Sequence, residues 1–304
     1  MRIRAFLLSL VLLTSMVPAQ GDVIDHSVLP DFYDSHVPSN TLPALKKAAS
    51  DYPKPYLDGC HTQQNMDSNT SPCAYGVSNS KTVAVLFGDS HALSWFPAVE
   101  KIALQKKWKL YSLTMSSCWP ANILAYNSTT SQLMDSCPIW RASTLELISK
   151  LQPKYIFIAG TSGFSTVGDD GNVLTGQPRT DAWVAGMTDT LMSLVKDSKV
   201  TFYISDYPVS IVSPVQCLLS HPNSIKPCTT PAGRAFKTAW LQTESDVATK
   251  NGAVWIDPTE WICQSDPCSP LSKNFVIYRD AGHLTSTFAR TLAPQLFASI
   301  KNFL

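Results

Sequence analysis

Between Thr82 and Pro97 the hydrophobic pattern changes period within a few residues, and that switch limits the folds open to the chain. Thr82 to Phe87 is a short apolar run rich in β-branched residues, which predicts a buried strand. Gly88-Asp89 turns the chain. From Ala92 onward, Leu93, Phe96, Val99, Ile102 and Ala103 recur at near-helical spacing and predict a helix. Ser90 therefore stands where a strand ends and a helix begins. In an open α/β sheet ligands bind at that edge, and a helix start favours negative charge developing beside it. A serine there is also an ordinary helix cap, so this stretch alone leaves both roles open.

The same alternation continues. Lys109 to Leu113, Lys154 to Ala159, Lys199 to Ile204 and Ala253 to Ile256 read as further strands. Helices are predicted over Ile139 to Leu151, Ala182 to Lys196, Ala232 to Asn251 and Thr287 to Phe303. Strands alternating with helices imply a parallel sheet covered on both faces. A long loop from Asp206 to Pro231 rises from the strand edge that would line a site, and is a candidate for substrate selection. Gly168-Asp-Asp-Gly-Asn172 lacks the later ligands of a calcium loop and reads as a turn.

Asp280 and His283 supply a second piece of chemistry. On one turn, three residues apart, both side chains lie on one side. The carboxylate can then hold the imidazole Nδ1–H and leave Nε2 as a base. A nucleophilic serine needs such a partner, because its hydroxyl is barely ionised at neutral pH. Alone, the pair reads equally as a helix cap beside an incidental histidine.

Gly88-Asp89-Ser90-His91 after a first strand, combined with Asp280-Ala-Gly-His283, resembles the SGNH (GDSL-type) hydrolase superfamily. The similarity is closest to the SGNH domains associated with acyltransferase-3 membrane proteins, and Asp257-Pro-Thr-Glu-Trp-Ile-Cys263, Cys268 and Tyr278-Arg-Asp280 strengthen it. The resemblance implies a three-layer α/β fold with a flavodoxin-like, five-stranded parallel sheet in the order 2-1-3-4-5. It also implies a Ser90–His283–Asp280 triad and oxyanion donors at Ser90, at Ser117 or Cys118, and at Ser162. The superfamily usually carries a glycine near Ser117 and an asparagine at the place of Ser162, so this chain departs at both. The alternative α/β-hydrolase fold places its serine mid-chain in Gly-x-Ser-x-Gly; Gly88-Asp-Ser-His-Ala92 on a first strand favours the SGNH arrangement. His91 is assigned no catalytic step.

Met1 to Gln20 has Arg2 and Arg4 before a short apolar run and small residues at Val17-Pro-Ala-Gln20, as in a cleaved signal peptide; an uncleaved anchor is the alternative. Gly21 to Ser80 reads as an irregular N-terminal extension, and residues 81–304 as the catalytic domain. The eight cysteines suit an oxidising compartment, and neighbour pairing gives Cys60–Cys73, Cys118–Cys137, Cys217–Cys228 and Cys263–Cys268. Without a Cys-x-x-Cys pair, structural zinc is discounted. Asn69-Thr-Ser71 and Asn127-Ser-Thr129 match the N-glycosylation pattern. A net charge of +1 without basic runs excludes a nucleic-acid partner, and no metal or cofactor is called for.

These readings predict an exported, extracytoplasmic serine acyltransferase or esterase. It would act on O-acyl groups of a surface glycan or glycolipid, with an acyl donor delivered by a membrane acyltransferase-3 protein. The alternative is a non-catalytic glycan-binding module on the same scaffold.

Overall fold

The computed structural model describes residues 36–64, 72–128 and 130–304. The expected signal segment, Asn69-Thr-Ser71 and Thr129 lie outside the described residues.

Five parallel strands form the centre: β3 (Val83–Gly88), β4 (Lys109–Met115), β5 (Tyr155–Ala159), β6 (Val200–Ile204) and β7 (Val254–Ile256). They lie in the order β4-β3-β5-β6-β7, which is the expected 2-1-3-4-5. Two further strands come from the segment read as irregular: β1 (His61–Thr62) and β2 (Ala74–Gly76). Both pair with the outer edge of β4. β2 runs antiparallel along its start, with Gly76 opposite Lys109, and β1 runs parallel along its end, with Thr62 opposite Met115. Neither strand is long enough to show an alternating pattern, so hydrophobic periodicity carries no strand signal there.

Successive side chains of each strand serve opposite faces. Ala84, Leu86, Phe157 and Phe202 join one core, packed by Phe96, Val99, Ile102, Leu292 and Leu296. Val85, Phe87, Ile156, Ile158 and Tyr203 join the other, packed by Trp140, Ile148, Trp183, Leu191 and Val247. Leu86 and Phe87 are fully buried, and burial of side chains of this size contributes roughly 1.5–3 kcal/mol each.

The helices that bring the second-layer residues are α1 (Ser90–Ser94), α2 (Phe96–Lys106), α3 (Ser136–Leu151), α4 (Gly176–Lys196), α5 (Thr238–Lys250), α6 (Ser286–Thr291) and α7 (Ala293–Ile300). Two expected helices are divided. Pro97 has no N–H to donate back to the preceding turn, so α2 restarts after Trp95 with the proline in its first turn. Pro294 splits α6 from α7 in the same way. The expected helix from Ala232 also breaks, at Phe236, whose φ of −150° is extended.

All four neighbour disulfides form, with Cα–Cα distances of 5.9, 5.3, 5.6 and 4.8 Å in chain order. No cysteine is free among the described residues. No described helix is long and apolar enough to cross a membrane.

Candidate active site

The site lies at the C-terminal edge of the sheet, and Gly88 starts it. Its φ is +145°, and a Cβ there would sit 1.9 Å from the Ala159 carbonyl oxygen, so only glycine lets β3 and β5 approach at this end. Asp89 follows, fully buried, as the cap of α1. Its Oδ1 accepts from the N–H groups of His91 (2.7 Å) and Ala92 (3.3 Å), and its Oδ2 from Thr161 N–H (2.8 Å). Asp89 thus clamps the turn to the loop after β5, and Ser90 is left as the first helical residue. The cap role that the sequence offered for Ser90 is filled by its neighbour. A first helical N–H has no intrahelical acceptor, so the Ser90 N–H is available beside its own hydroxyl.

His283 Nε2 lies 2.9 Å from Ser90 Oγ, although 193 residues separate them. On the far side of the ring, Nδ1 lies 2.8 and 3.0 Å from the two Asp280 oxygens. Asp280 Oδ1 also accepts the backbone N–H groups of Gly282 (2.9 Å) and His283 (2.8 Å), which fixes the turn between them. The three residues singled out in the sequence are therefore together. The Asp280 side chain is 49% exposed and that of His283 25%, so solvent reaches the imidazole.

Charges around the pair set its protonation. Burial alone would raise Asp280, but the hydrogen bond and charge of His283, with Arg279 and the Gly282 N–H, bring it down to about 2. His283 is held below the ordinary histidine value, chiefly by burial, against which the Asp280 hydrogen bond works; His91 and Arg279 add to the lowering. The imidazole is neutral at neutral pH, as a general base must be.

The oxyanion candidates divide. Ser117 has a left-handed backbone, φ +55°, which is the conformation a glycine favours. The departure from glycine there leaves the turn intact. Cys118 N–H already donates to Met115 O at 3.3 Å, so Ser117 is the better donor of the two. The loop is held from three sides. Cys118 is bonded to Cys137, the buried Arg141 donates to the Trp119 carbonyl (3.1 Å) and the Ile123 carbonyl (3.3 Å), and Ser116 N–H donates to Thr62 O (2.9 Å). Ser162 is engaged elsewhere. Its hydroxyl and its N–H both donate to Asp206 Oδ2 at 2.7 Å, so its single hydroxyl proton is committed away from any oxyanion.

Two histidines near the site carry signals that periodicity and motif do not reveal. His61, on β1, is buried with Nδ1 2.9 Å from Thr114 Oγ1 and Nε2 2.8 Å from Ser116 Oγ. Burial, then the charges of His283 and Arg279, lower it to about 3, so it stays neutral. His91 is buried against Asp206, Nδ1 to Oδ1 2.7 Å. An acid just past the fourth strand, on the edge where sites form, was the available hint of Asp206.

The profile of the family described as "SGNH domain (fused to AT3 domains)" matches residues 59–298. The chain belongs to this family. The SGNH domain so defined takes in β1 and β2 as well as the five central strands. Among solved structures, the periplasmic domain of the lipopolysaccharide acetyltransferase of Salmonella ser. Paratyphi A is similar at 17% identity and a TM-score of 0.61, covering 86% of this chain and 97% of that one. A mutant of Axe2, an acetyl-xylooligosaccharide esterase of Geobacillus stearothermophilus, follows at 10% identity and TM-score 0.42, covering 73% of this chain and 94% of that one. An inhibitor-bound aryl esterase of M. smegmatis has 13% identity and TM-score 0.42, covering 74% of this chain and 100% of that one. The first of these establishes a shared fold. No curated protein matches the chain.

Proposed function

We propose that this SGNH domain is a serine acyltransferase or esterase that works on O-acyl, chiefly O-acetyl, groups of a cell-surface glycan or glycolipid. The observation that carries the reading is the 2.9 Å contact between His283 Nε2 and Ser90 Oγ, backed by Asp280 on Nδ1. Membership of a family whose domains are fused to AT3 domains supports an acyl donor supplied by a membrane acyltransferase-3 protein. The likeness to a lipopolysaccharide acetyltransferase domain supports a glycolipid acceptor. Four disulfides fit an extracytoplasmic setting, in keeping with the expected signal peptide.

Ser90 Oγ attacks the acyl carbonyl carbon while its proton passes to His283 Nε2. Asp280 keeps the imidazole oriented and stabilises the imidazolium. The Ser90 and Ser117 N–H groups receive the oxyanion. His283 returns the proton to the departing oxygen, leaving an acyl-enzyme. Water or a sugar hydroxyl then gives its proton to His283 and takes the acyl group, and His283 passes that proton to the departing Ser90 Oγ, which restores the free serine.

The test is turnover of an aryl acetate by Ser90→Ala and His283→Ala. Loss of a triad member is expected to lower kcat by about 10⁴-fold or more, and a fluorophosphonate probe should label the wild type but not Ser90→Ala. Near-normal rates in either variant, or an unlabelled wild type, reject the triad and favour the glycan-binding alternative.

A further inference from the structure

Beside the proposed triad lies a second histidine–carboxylate pair. His91 and Asp206 are each 7% exposed, 115 residues apart in sequence and joined Nδ1 to Oδ1 at 2.7 Å. Asp206 is a heavily loaded acceptor. Its Oδ1 also receives Tyr207 N–H (3.0 Å), and its Oδ2 receives the Ser162 N–H and hydroxyl (both 2.7 Å), with Thr161 Oγ1 at 3.5 Å. Each such donor favours the ionised carboxylate, and a buried anion needs a cation against it. The only ion pair of Asp206 among the described residues is with His91.

The pair touches both halves of the reacting couple. His91 follows Ser90 directly. Its ring meets the His283 ring edge-on, centroids 5.3 Å apart, and the Tyr207 ring stacks on it at 4.8 Å and 10°. The Tyr207 hydroxyl donates to the carbonyl of Gly282, next to His283, at 3.0 Å and lies 2.9 Å from Ser94 Oγ on α1.

We propose that His91 is a buried cation, kept charged by Asp206, and that it serves as a positioning residue whose charge holds His283 Nε2 free to accept the Ser90 proton. This rests on the triad reading above. The surroundings agree. Burial pulls His91 down, but the Asp206 charge and hydrogen bond, with Asp89 and Asp280 behind them, carry it above the ordinary histidine value. The groups facing His283 are Asp280 and Arg279 from its own loop, His91 from α1 and the neutral His61 from β1. Glu244, another acid near Asp206, is buried and pushed up to about 8, first by burial and next by the Asp206 charge, so it stays protonated at neutral pH.

Removing the cation should let His283 gain a proton more readily, so the acid limb of activity moves to higher pH. The experiment is kcat/KM against pH for an aryl acetate, with wild type, His91→Gln and Asp206→Asn. Both variants are expected to move the acid limb up by roughly one pH unit. That is about a tenfold loss well below the limb, beyond any change in the plateau. A purely structural pair would lower the plateau and leave the limb in place, and that result overturns the proposal. Histidine side-chain ¹⁵N NMR of the wild type near pH 7.5 gives a second reading if the variants do not fold: His91 doubly protonated and His283 neutral supports the proposal, and a neutral His91 overturns it. Probe labelling of wild-type Ser90 separates the two failures, because a labelled serine with unmoved limbs sinks this inference and spares the triad.

Discussion

At the scale of single residues, the site depends on where each polar proton is committed. Asp89 accepts three N–H groups and so fixes the position of Ser90 without touching the reaction. Ser162 stands where the superfamily usually places an asparagine, and its hydroxyl serves Asp206. Removing one true oxyanion donor costs about 10²–10³ in kcat. Ser162→Ala should instead lose less than about tenfold, since its N–H bond to Asp206 survives and no transition-state contact is lost. Steady-state kinetics on an aryl acetate checks this, and a hundredfold loss would return Ser162 to the oxyanion site. The proposed triad was legible in the sequence because its chemistry is local in two places: Ser90 on a strand–helix turn, and Asp280 and His283 within one turn. The His91–Asp206 pair was not, since its two members are ordinary residues until the fold joins them across 115 positions.

Among the elements, the strands were read well and the helices less so. A buried parallel strand announces itself as a short apolar run, and β3, β5 and β6 do so. The helix breaks at Pro97 and Pro294 follow from a missing donor that an apolar period does not register. Between β6 and α5, the Tyr203 hydroxyl donates to Glu244 Oε1 at 3.0 Å in full burial. Because the Glu244 carboxyl is raised to about 8 in the fold, it is protonated there while the unfolded chain ionises near 4.5. Its contribution to stability is therefore whole below about pH 4.5 and is lost as pH climbs through 8. Glu244→Gln keeps the acceptor and removes the ionisation. Thermal melts should show the variant gaining about 2–4 °C over wild type at pH 8, with the gain shrinking toward pH 4.5. A gain that does not change with pH would refute the assignment.

For the molecule as a whole, one disulfide and the first N-terminal strand act on the same loop. Cys118–Cys137 is fully buried and closes a separation of 19 residues behind the Ser117 turn. A double Cys118→Ser/Cys137→Ser chain should lose about 2–4 kcal/mol of stability in denaturant titration, and lose activity because the turn is freed. Unchanged stability would place the loop's support elsewhere, in Arg141 and the β1 contact. Neighbour spacing suggested the pairing without fixing it, whereas β1 and β2 give no signal because two- and three-residue strands have no period.

The separation of 193 positions between alcohol and imidazole also bears on how the chain is made. A ribosome finishes the serine long before it reaches the histidine. Until that later segment has folded back against the sheet, the emerging polypeptide carries a hydroxyl with nothing to draw off its proton. On the proposed triad, reactivity is thus a property of completed folding, and a truncated or misassembled copy is expected to be chemically silent.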